Sequence, residues 1–193
     1  MLRKAVTLLL SGMLIMVLTS IVSANGPQYV GAKKCKACHL KQYKSWEKTK
    51  NAKGFENLKP GVKPEEKKKA KLDPNKDYTT DVECLKCHTT GYGKPGGFKS
   101  LAETPDMINA QCETCHGPGS EFTKIMKANK EFKRAEIIAA GWRFPSEPEN
   151  EKRCLECHGG DSPFNEKVDQ KYKWDFKERL KNTHEHFPLK YKH

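Results

Sequence analysis

The chain has 193 residues and a formal net charge of +12, because its 36 lysine and arginine residues outnumber its 24 aspartates and glutamates. Only 36% of the residues are hydrophobic, and the mean hydropathy is -0.83. This length suits one domain, and a chain so polar buries too little apolar surface to fold without an additional apolar component. The composition therefore excludes an array of separately folded domains and a protein with several membrane-spanning helices.

The first segment of the chain has the three parts of an export signal. Residues 1–4 (MLRK) are positively charged, residues 5–22 are apolar, and residues 22–24 (VSA) form a small-residue cleavage site. We therefore predict a signal peptide over residues 1–24 and a mature domain over residues 25–193, exported to the periplasm or the extracellular space. The alternative is an uncleaved membrane anchor, because the apolar run approaches the length that spans a bilayer.

The most informative pattern is Cys-x-x-Cys-His, which occurs at residues 35–39, 84–88, 112–116 and 154–158. These four motifs use all eight cysteines and four of the seven histidines. On one helical turn, positions i, i+3 and i+4 share a face, so both thiols reach the two vinyl groups of one haem while the histidine meets its iron. The pattern is typical of c-type haem attachment.

We therefore predict four covalently attached c-type haems. The thioether positions are Cys35, Cys38, Cys84, Cys87, Cys112, Cys115, Cys154 and Cys157. The proximal iron ligands are His39, His88, His116 and His158. Two other uses of these cysteines are possible in principle, but zinc knuckles do not require a histidine after the second cysteine, and a disulfide framework predicts no histidine pattern. A histidine in all four copies argues against both.

Between the motifs, the sequence predicts helices and loops. A helix follows the first motif, and Pro64 opens a lysine-rich helix with acidic residues in its first turn. Pro105 begins a helix that leads to the third motif, while Ser120 begins the longest helical stretch, which Gly141 caps. A last helix spans residues 174–184, and alternating runs long enough for a sheet are absent. The predicted fold is mainly α, with short helices and long loops wrapped around four closely packed covalent haems and little or no sheet.

The sixth iron ligands are less clear, because three histidines remain for four irons. His184, His186 and His193 are the candidate distal ligands, so at least one iron takes another ligand or none. His184 and His186 are two residues apart and point in different directions, so they do not serve the same iron: either they bind different irons or one of them is a surface residue. His193 ends the chain and is either frayed or docked onto a partner. Met126 is a further candidate distal ligand, although a lone methionine on a helix more often packs in a core.

Several stretches of the chain resemble the tetrahaem cytochrome c-554 family. They are residues 34–39, 71–78, 112–119 and 184–186. The best-known members, from ammonia-oxidising bacteria, accept electrons from hydroxylamine oxidoreductase. The resemblance implies a mainly-α fold with closely packed haem pairs, three haems with two histidine ligands and one five-coordinate, high-spin haem. It also implies that the motif histidines are the proximal ligands and that one of His184 and His186 is a distal ligand.

The chain departs from this family at two distal positions. Family members often have a histidine in the helix after the first haem, where this chain has Lys50 and Asn51. Another family histidine, after the third motif, aligns near Met126. On this alignment one chain alone does not fill every distal position.

The positive charge indicates a protein partner. The predicted leader directs the chain away from nucleic acid, so the lysines are better suited to offset haem propionates and to steer an acidic redox protein. By resemblance, that partner includes a donor like hydroxylamine oxidoreductase. The alternative is a solvated lysine surface with no specific partner.

Three functions fit these observations. The first is a periplasmic electron carrier that is not an enzyme and passes electrons through its four haems. The second is a subunit of an extracellular cytochrome filament, in which His193 of a neighbouring chain supplies a missing distal ligand. The third is a reductase of a small nitrogen compound at an open haem, for which an open position is necessary and not sufficient. We expect the carrier.

Overall fold

The structure, a computed structural model, describes residues 26–188. The predicted signal peptide over residues 1–24 and the candidate ligand His193 therefore lie outside the described residues. Over residues 26–188 the α-helices are α1 (Ala32–Lys36), α2 (Leu40–Trp46), α3 (Pro64–Lys69), α4 (Val82–His88), α5 (Cys112–His116), α6 (Phe122–Ala128), α7 (Arg134–Ala139), α8 (Glu151–His158) and α9 (Phe176–Lys181). The 3-10 turns are Asn51–Leu58, Pro105–Met107, Pro148–Asn150 and Gln170–Tyr172.

The predicted fold class is confirmed. Within the described part of the chain, β structure is limited to one isolated antiparallel bridge between Thr89 and Ile108. The longest α-helix there, α8, has eight residues, and helices this short are marginal in water on their own. Packing and capping must therefore hold them, as at α4, where the Asp81 side chain accepts a hydrogen bond from the backbone N–H of Glu83. None of the described helices is long and apolar enough to cross a membrane.

The predicted long helical stretch from Ser120 to Gly141 is divided into α6 and α7. The helix ends at Asn129, whose side chain accepts a hydrogen bond from the backbone N–H of Glu131 at 2.8 Å. Such a local bond lets the chain leave the helical path. Gly141 follows α7 with φ +99°, in agreement with its predicted role at the end of this stretch.

Two small hydrophobic clusters make up the buried interior. The first cluster consists of Phe55, Leu58, Tyr78, Leu85, Phe98 and Met107. The second cluster consists of Phe122, Phe132 and Ile137, with Met126 and Trp142 among the half-buried residues packed against it. The first cluster joins residues from both sides of the second motif and includes Leu85 of that motif, and the second cluster follows the third motif in sequence. Each cluster thus supports a haem-attachment motif.

A buried carboxylate links the start of the described chain to the third motif. Glu113 is fully buried, and its carboxylate accepts hydrogen bonds from the backbone N–H groups of Val30 at 2.9 and 3.1 Å, Gly31 at 2.7 Å and Gly119 at 2.6 Å. Burial raises the pKa of Glu113, whereas these three N–H groups favour its charged form and lower the pKa. The side chain thereby joins the segment before α1, the third motif and the loop that follows it.

The buried residues are unevenly distributed. All of those in the described chain lie within residues 26–137, and residues 138–188 contain none. The second part nevertheless carries the fourth motif and the candidate ligands His184 and His186. It follows that the polypeptide alone supplies little interior around the fourth motif.

Candidate haem-attachment sites

Three of the four motifs end short helices, and the first spans the turn between two of them. Cys35 is on α1, with Cys38 and His39 in the turn that leads to α2, whereas the second, third and fourth motifs end at the last residues of α4, α5 and α8. On these turns the two cysteines and the histidine share a face. The local geometry thus agrees with the spacing from which the sites were predicted.

Two of the motif histidines are oriented by backbone carbonyls. His88 Nδ1 lies 2.6 Å from the Gly54 carbonyl oxygen, and His116 Nδ1 lies 3.2 Å from the Arg143 carbonyl oxygen. When Nδ1–H donates to a carbonyl, Nε2 keeps the lone pair that a metal needs. Burial lowers the pKa of His88 and lowers the pKa of His116 to about 4, so both rings are neutral at pH 7.

At the third and fourth motifs, a tryptophan side chain stacks on the imidazole ring of the motif histidine. His116 stacks on Trp142 with ring centroids 4.4 Å apart and planes 20° apart, and His158 stacks on Trp174 at 5.2 Å and 22°. The two indoles differ in their N–H groups. Trp174 Nε1 donates to Glu151 Oε1 at 2.6 Å, whereas Trp142 Nε1 is buried without a hydrogen-bond partner in the described structure.

The motifs contact one another through their cysteines. The thiols of Cys35 and Cys112 lie close to each other, and their interaction raises the pKa of Cys35 and lowers the pKa of Cys112. The same arrangement joins Cys87 and Cys157 and raises the pKa of Cys157. Consistently, α1 contacts α5 and α4 contacts α8. The first motif is thus paired with the third, and the second with the fourth.

The two pairs are themselves joined between the third and fourth motifs. Burial raises the pKa of Cys115 to about 11, and the nearby thiol of Cys154 contributes to the increase. The motifs are therefore neighbours in the order first, third, fourth, second, which differs from their order along the chain. This spatial order was not predicted from the sequence, because it depends on contacts between segments 39 to 77 residues apart, by subtraction of the cysteine numbers.

The residues present fit c-type haem better than the alternatives. All eight cysteines are free thiols, as haem attachment requires. Across residues 26–188, no group of three or more histidine, cysteine, aspartate or glutamate side chains gathers as it would around a zinc ion. The buried N–H of Trp142 also needs an acceptor, and a haem propionate is a carboxylate that could provide one.

The candidate distal ligands have distinct positions. The ring centroid of His184 lies 6.2 Å from that of His116 and 4.6 Å from that of His186. His184 Nδ1 lies 2.9 Å from the Glu185 carbonyl oxygen, which leaves Nε2 free. The backbone N–H of Glu185 donates to Ser45 Oγ at 2.9 Å and holds this segment against α2. The structure thus brings His184 to the third motif, which is far from it in sequence.

The methionines and the two substituted family positions lie elsewhere. Met126 packs against the second hydrophobic cluster, and Met107 is buried in the first. Asn51 begins a 3-10 turn, directly after Lys50. Sequence reasoning did not identify Trp142 or Trp174 at the sites, because nothing local relates either residue to the motif histidine on which it stacks.

Comparison with known proteins identifies the family. The family model described as cytochrome c554 and c-prime matches residues 34–117. A cytochrome c-554 from Nitrosomonas europaea is 38% identical over 191 aligned positions, which cover 87% of this chain and 79% of that protein. The chain belongs to the cytochrome c-554 family. The solved structure of reduced cytochrome c554 from Nitrosomonas europaea superposes with a TM-score of 0.75 and 37% identity, over 86% of this chain and 89% of that one.

Membership of the cytochrome c-554 family confirms several predictions in their general form. The chain is a c-type cytochrome, an electron carrier with covalently bound c-type haem and redox proteins as partners. The helical fold is shared with the solved relative.

Proposed function

We propose that this member of the cytochrome c-554 family is exported and carries electrons between redox proteins through four closely spaced haems, one held by each motif. Haem iron alternates between the ferric and ferrous states and so provides the group that accepts and releases an electron. The observation that carries the proposal is the proximity of the motifs: α1 contacts α5, α4 contacts α8, and the thiols of Cys115 and Cys154 are near each other. No motif lies apart from the others.

The polypeptide's own task is to hold and orient the attached groups. In the proposal the motif cysteines form thioethers, and the motif histidines present Nε2 to iron. The carbonyl of Gly54 sets the tautomer of His88, and the carbonyl of Arg143 sets that of His116. Because these carbonyls lie on segments distant in sequence, folding and ligand orientation are coupled.

We also assign His184 as the distal ligand at the third motif. Metal–imidazole bonds of about 2 Å on both faces of one iron place two ring centroids about 6 Å apart, and the measured separation between His184 and His116 is 6.2 Å. The Nδ1 contact of His184 with the Glu185 carbonyl supports the same assignment. His186, His193 and Met126 stay candidates for the other irons.

The cellular setting follows from the predicted leader over residues 1–24 and from the charge. Export to the periplasm places the motif cysteines where haem is attached to c-type cytochromes, and the lysine-rich surface suits an acidic redox protein. A donor similar to hydroxylamine oxidoreductase is consistent with the family resemblance. The role is that of a carrier, and no residue is assigned to catalysis.

The haem content of the purified protein tests the proposal. The pyridine haemochrome assay should give four haems per chain, and each paired change, such as Cys84→Ala with Cys87→Ala, should lower the ratio to three. A fully loaded wild-type protein with fewer than four haems would contradict the assignment. Filaments seen by electron microscopy of the secreted fraction, in place of a monomer, would support the filament subunit instead.

Low-temperature electron paramagnetic resonance tests the assignment of His184. His184→Ala should convert one low-spin haem to high spin, and the lost signal should be the one absent from the variant with Cys112→Ala and Cys115→Ala. His186→Ala is the matched control and should leave that signal unchanged. The opposite result would assign His186 to the third motif.

A further inference from the structure

Lysines are concentrated on α1, α2 and the residues that follow them. Eight lysines occur between residues 33 and 53, all of them exposed, and the one acidic residue in this span is Glu47. They are Lys33, Lys34, Lys36, Lys41, Lys44, Lys48, Lys50 and Lys53. We call these eight exposed lysines the basic surface. They flank the first motif in sequence.

Most of this charge is not neutralised by ion pairs. Of the eight lysines, Lys33 has a carboxylate partner in the described structure, Asp106 at 2.7 Å. Lys36 lies over the ring of Tyr43, with Nζ 4.8 Å from the centroid, and keeps its charge. Glu185, held against α2 by Ser45, adds one negative charge at this edge. The basic surface therefore retains a large positive excess.

The helices of the other motif pair have no such excess. In α8, Lys152 and Arg153 are balanced by Glu151 and Glu156, and Arg153 pairs with Glu156 at 3.1 Å. In α4, Lys86 pairs with Glu83 at 2.7 Å. The contrast indicates that the charge at the first motif is a local feature rather than the average of a basic chain.

The residues of the first motif that lie between these lysines in sequence include apolar, accessible side chains. Cys38 is exposed, and so is the neighbouring Ala37. Leu40, at the start of α2, is 46% exposed. An apolar centre within a charged rim is the usual composition of a protein-docking surface, and the charges there govern encounter rate and orientation.

The basic surface also lies at one end of the motif order. The first motif contacts the third through Cys35 and Cys112, and the third continues to the fourth and second. A partner bound at this end would meet the terminal site of the series. Charge, exposure and position in the series therefore coincide at the same motif.

We propose that the basic surface docks an acidic redox protein and makes the first motif the site of electron exchange with it. The inference rests on the proposed carrier function and specifies where the partner binds. One electron is exchanged per encounter, lost by the reduced partner and gained at the iron of the haem held by Cys35, Cys38 and His39. No proton or leaving group takes part. Lys41, Lys44 and Lys48 share one face of α2 and its continuation, and they provide the attractive contacts.

The test compares two triple variants of the holoprotein with equal loss of charge. Lys41→Gln, Lys44→Gln and Lys48→Gln alter the basic surface, and the matched control carries Lys152→Gln, Lys173→Gln and Lys177→Gln, all exposed and near the fourth motif in sequence. The probe is a reduced plant-type two-iron ferredoxin, a small acidic electron-transfer protein. Stopped-flow rates against ionic strength and equilibrium binding by interferometry are both measured.

At low ionic strength we expect the basic-surface variant to be reduced by ferredoxin at least ten-fold more slowly than the wild type, since electrostatic steering raises association rates 10-fold or more. The rate of this variant should also depend much less on ionic strength, and its affinity for ferredoxin should be lower. The control should change by less than about two-fold. Equal effects in both variants, or no effect in either, would overturn the proposal. Binding to phosphatidylglycerol vesicles and to DNA is measured in the same way. A loss of binding confined to either of these would also overturn the proposal, because the surface would then serve a different class of partner.

A small reductant separates this inference from the proposed function. A cationic viologen radical should reduce all haems of the wild type and of both variants at similar rates. One outcome is that the two triple variants have normal haem spectra and normal rates of reduction by viologen and yet react with ferredoxin at equal rates. In that case the proposed docking surface is refuted, and the carrier function stands. If four reducible haems are not present in the wild type, the proposed function itself fails.

Discussion

Residues 26–137 and residues 138–188 carry the same kind of motif in very different surroundings. The first part contains all the buried residues of the described chain, including the fully buried Glu113 and the nearly fully buried Phe98. The second part holds its motif on α8, a helix with no buried residue, and its main feature there is the stack of Trp174 on His158. The difference shows that similar attachment sites need not have similar polypeptide support.

This contrast indicates where the haems matter most for folding. In the first part, side chains from segments far apart in sequence enclose one another, so apolar burial stabilises it directly. In the second part no whole residue is buried, so a bound apolar group such as haem would supply the missing contacts. We therefore expect the second part to depend more strongly on haem attachment than the first.

The largest expected effect comes from removing the two cysteines of the fourth motif. Cys154→Ala with Cys157→Ala should make residues 138–188 at least ten-fold more sensitive to proteolysis, because this part has no buried interior without haem. Limited proteolysis with mass spectrometry identifies the cleavage sites. Cleavage distributed equally over residues 26–137 would show that the two parts do not differ as described.

A substitution in the first hydrophobic cluster should have the next largest effect. Phe98 is 1% exposed, and its ring centroid lies 6.1 Å from that of Phe55. Phe98→Ala should therefore lower the free energy of unfolding by about 3–5 kcal/mol. Phe164→Ala is the matched control from the second part, and because Phe164 is only half-buried we expect a loss below about 2 kcal/mol. Chemical denaturation of the holoproteins measures both. Equal losses would argue against the comparison.

Glu113→Gln should have an intermediate effect. The amide keeps the size of the side chain but removes the charge that three backbone N–H groups share, and hydrogen bonds to a charged group are worth about 1.5–3 kcal/mol. We expect a loss of about 2–3 kcal/mol in the free energy of unfolding. Glu156→Gln, at an exposed position of the fourth motif, should change it by less than about 0.5 kcal/mol. If the Glu113 variant is as stable as the wild type, the carboxylate does not hold these segments together.

The two tryptophans should give the smallest and most specific effects. Trp174→Phe loses the bond to Glu151 and should cost about 1 kcal/mol of stability. Trp142→Phe loses no hydrogen bond within the described structure. If the N–H of Trp142 instead serves a haem propionate, this variant should lower the reduction potential of one haem, while Trp174→Phe leaves the potentials unchanged. Spectroelectrochemical titration distinguishes the two results.

The attachment sites could be predicted because their information is local. Five consecutive residues define each motif, and a single helical turn brings the two cysteines and the histidine to one face. The fold class was predictable for a similar reason, since proline and acidic residues open α3 as expected. The division of the stretch from Ser120 to Gly141 was missed, because the turn formed by Asn129 competes with a helix that composition alone favours.

The sequence by itself determined the helical class and the family and predicted the cofactor-binding residues, because each is encoded in short segments with a definite chemistry. The tertiary structure decided which motifs are neighbours, in an order different from that of the chain. It also decided that His184 approaches His116, that Met126 packs in a hydrophobic cluster, and that the carbonyls of Gly54 and Arg143 orient motif histidines. These relations join residues tens of positions apart, and only the packing of the whole chain brings them into contact.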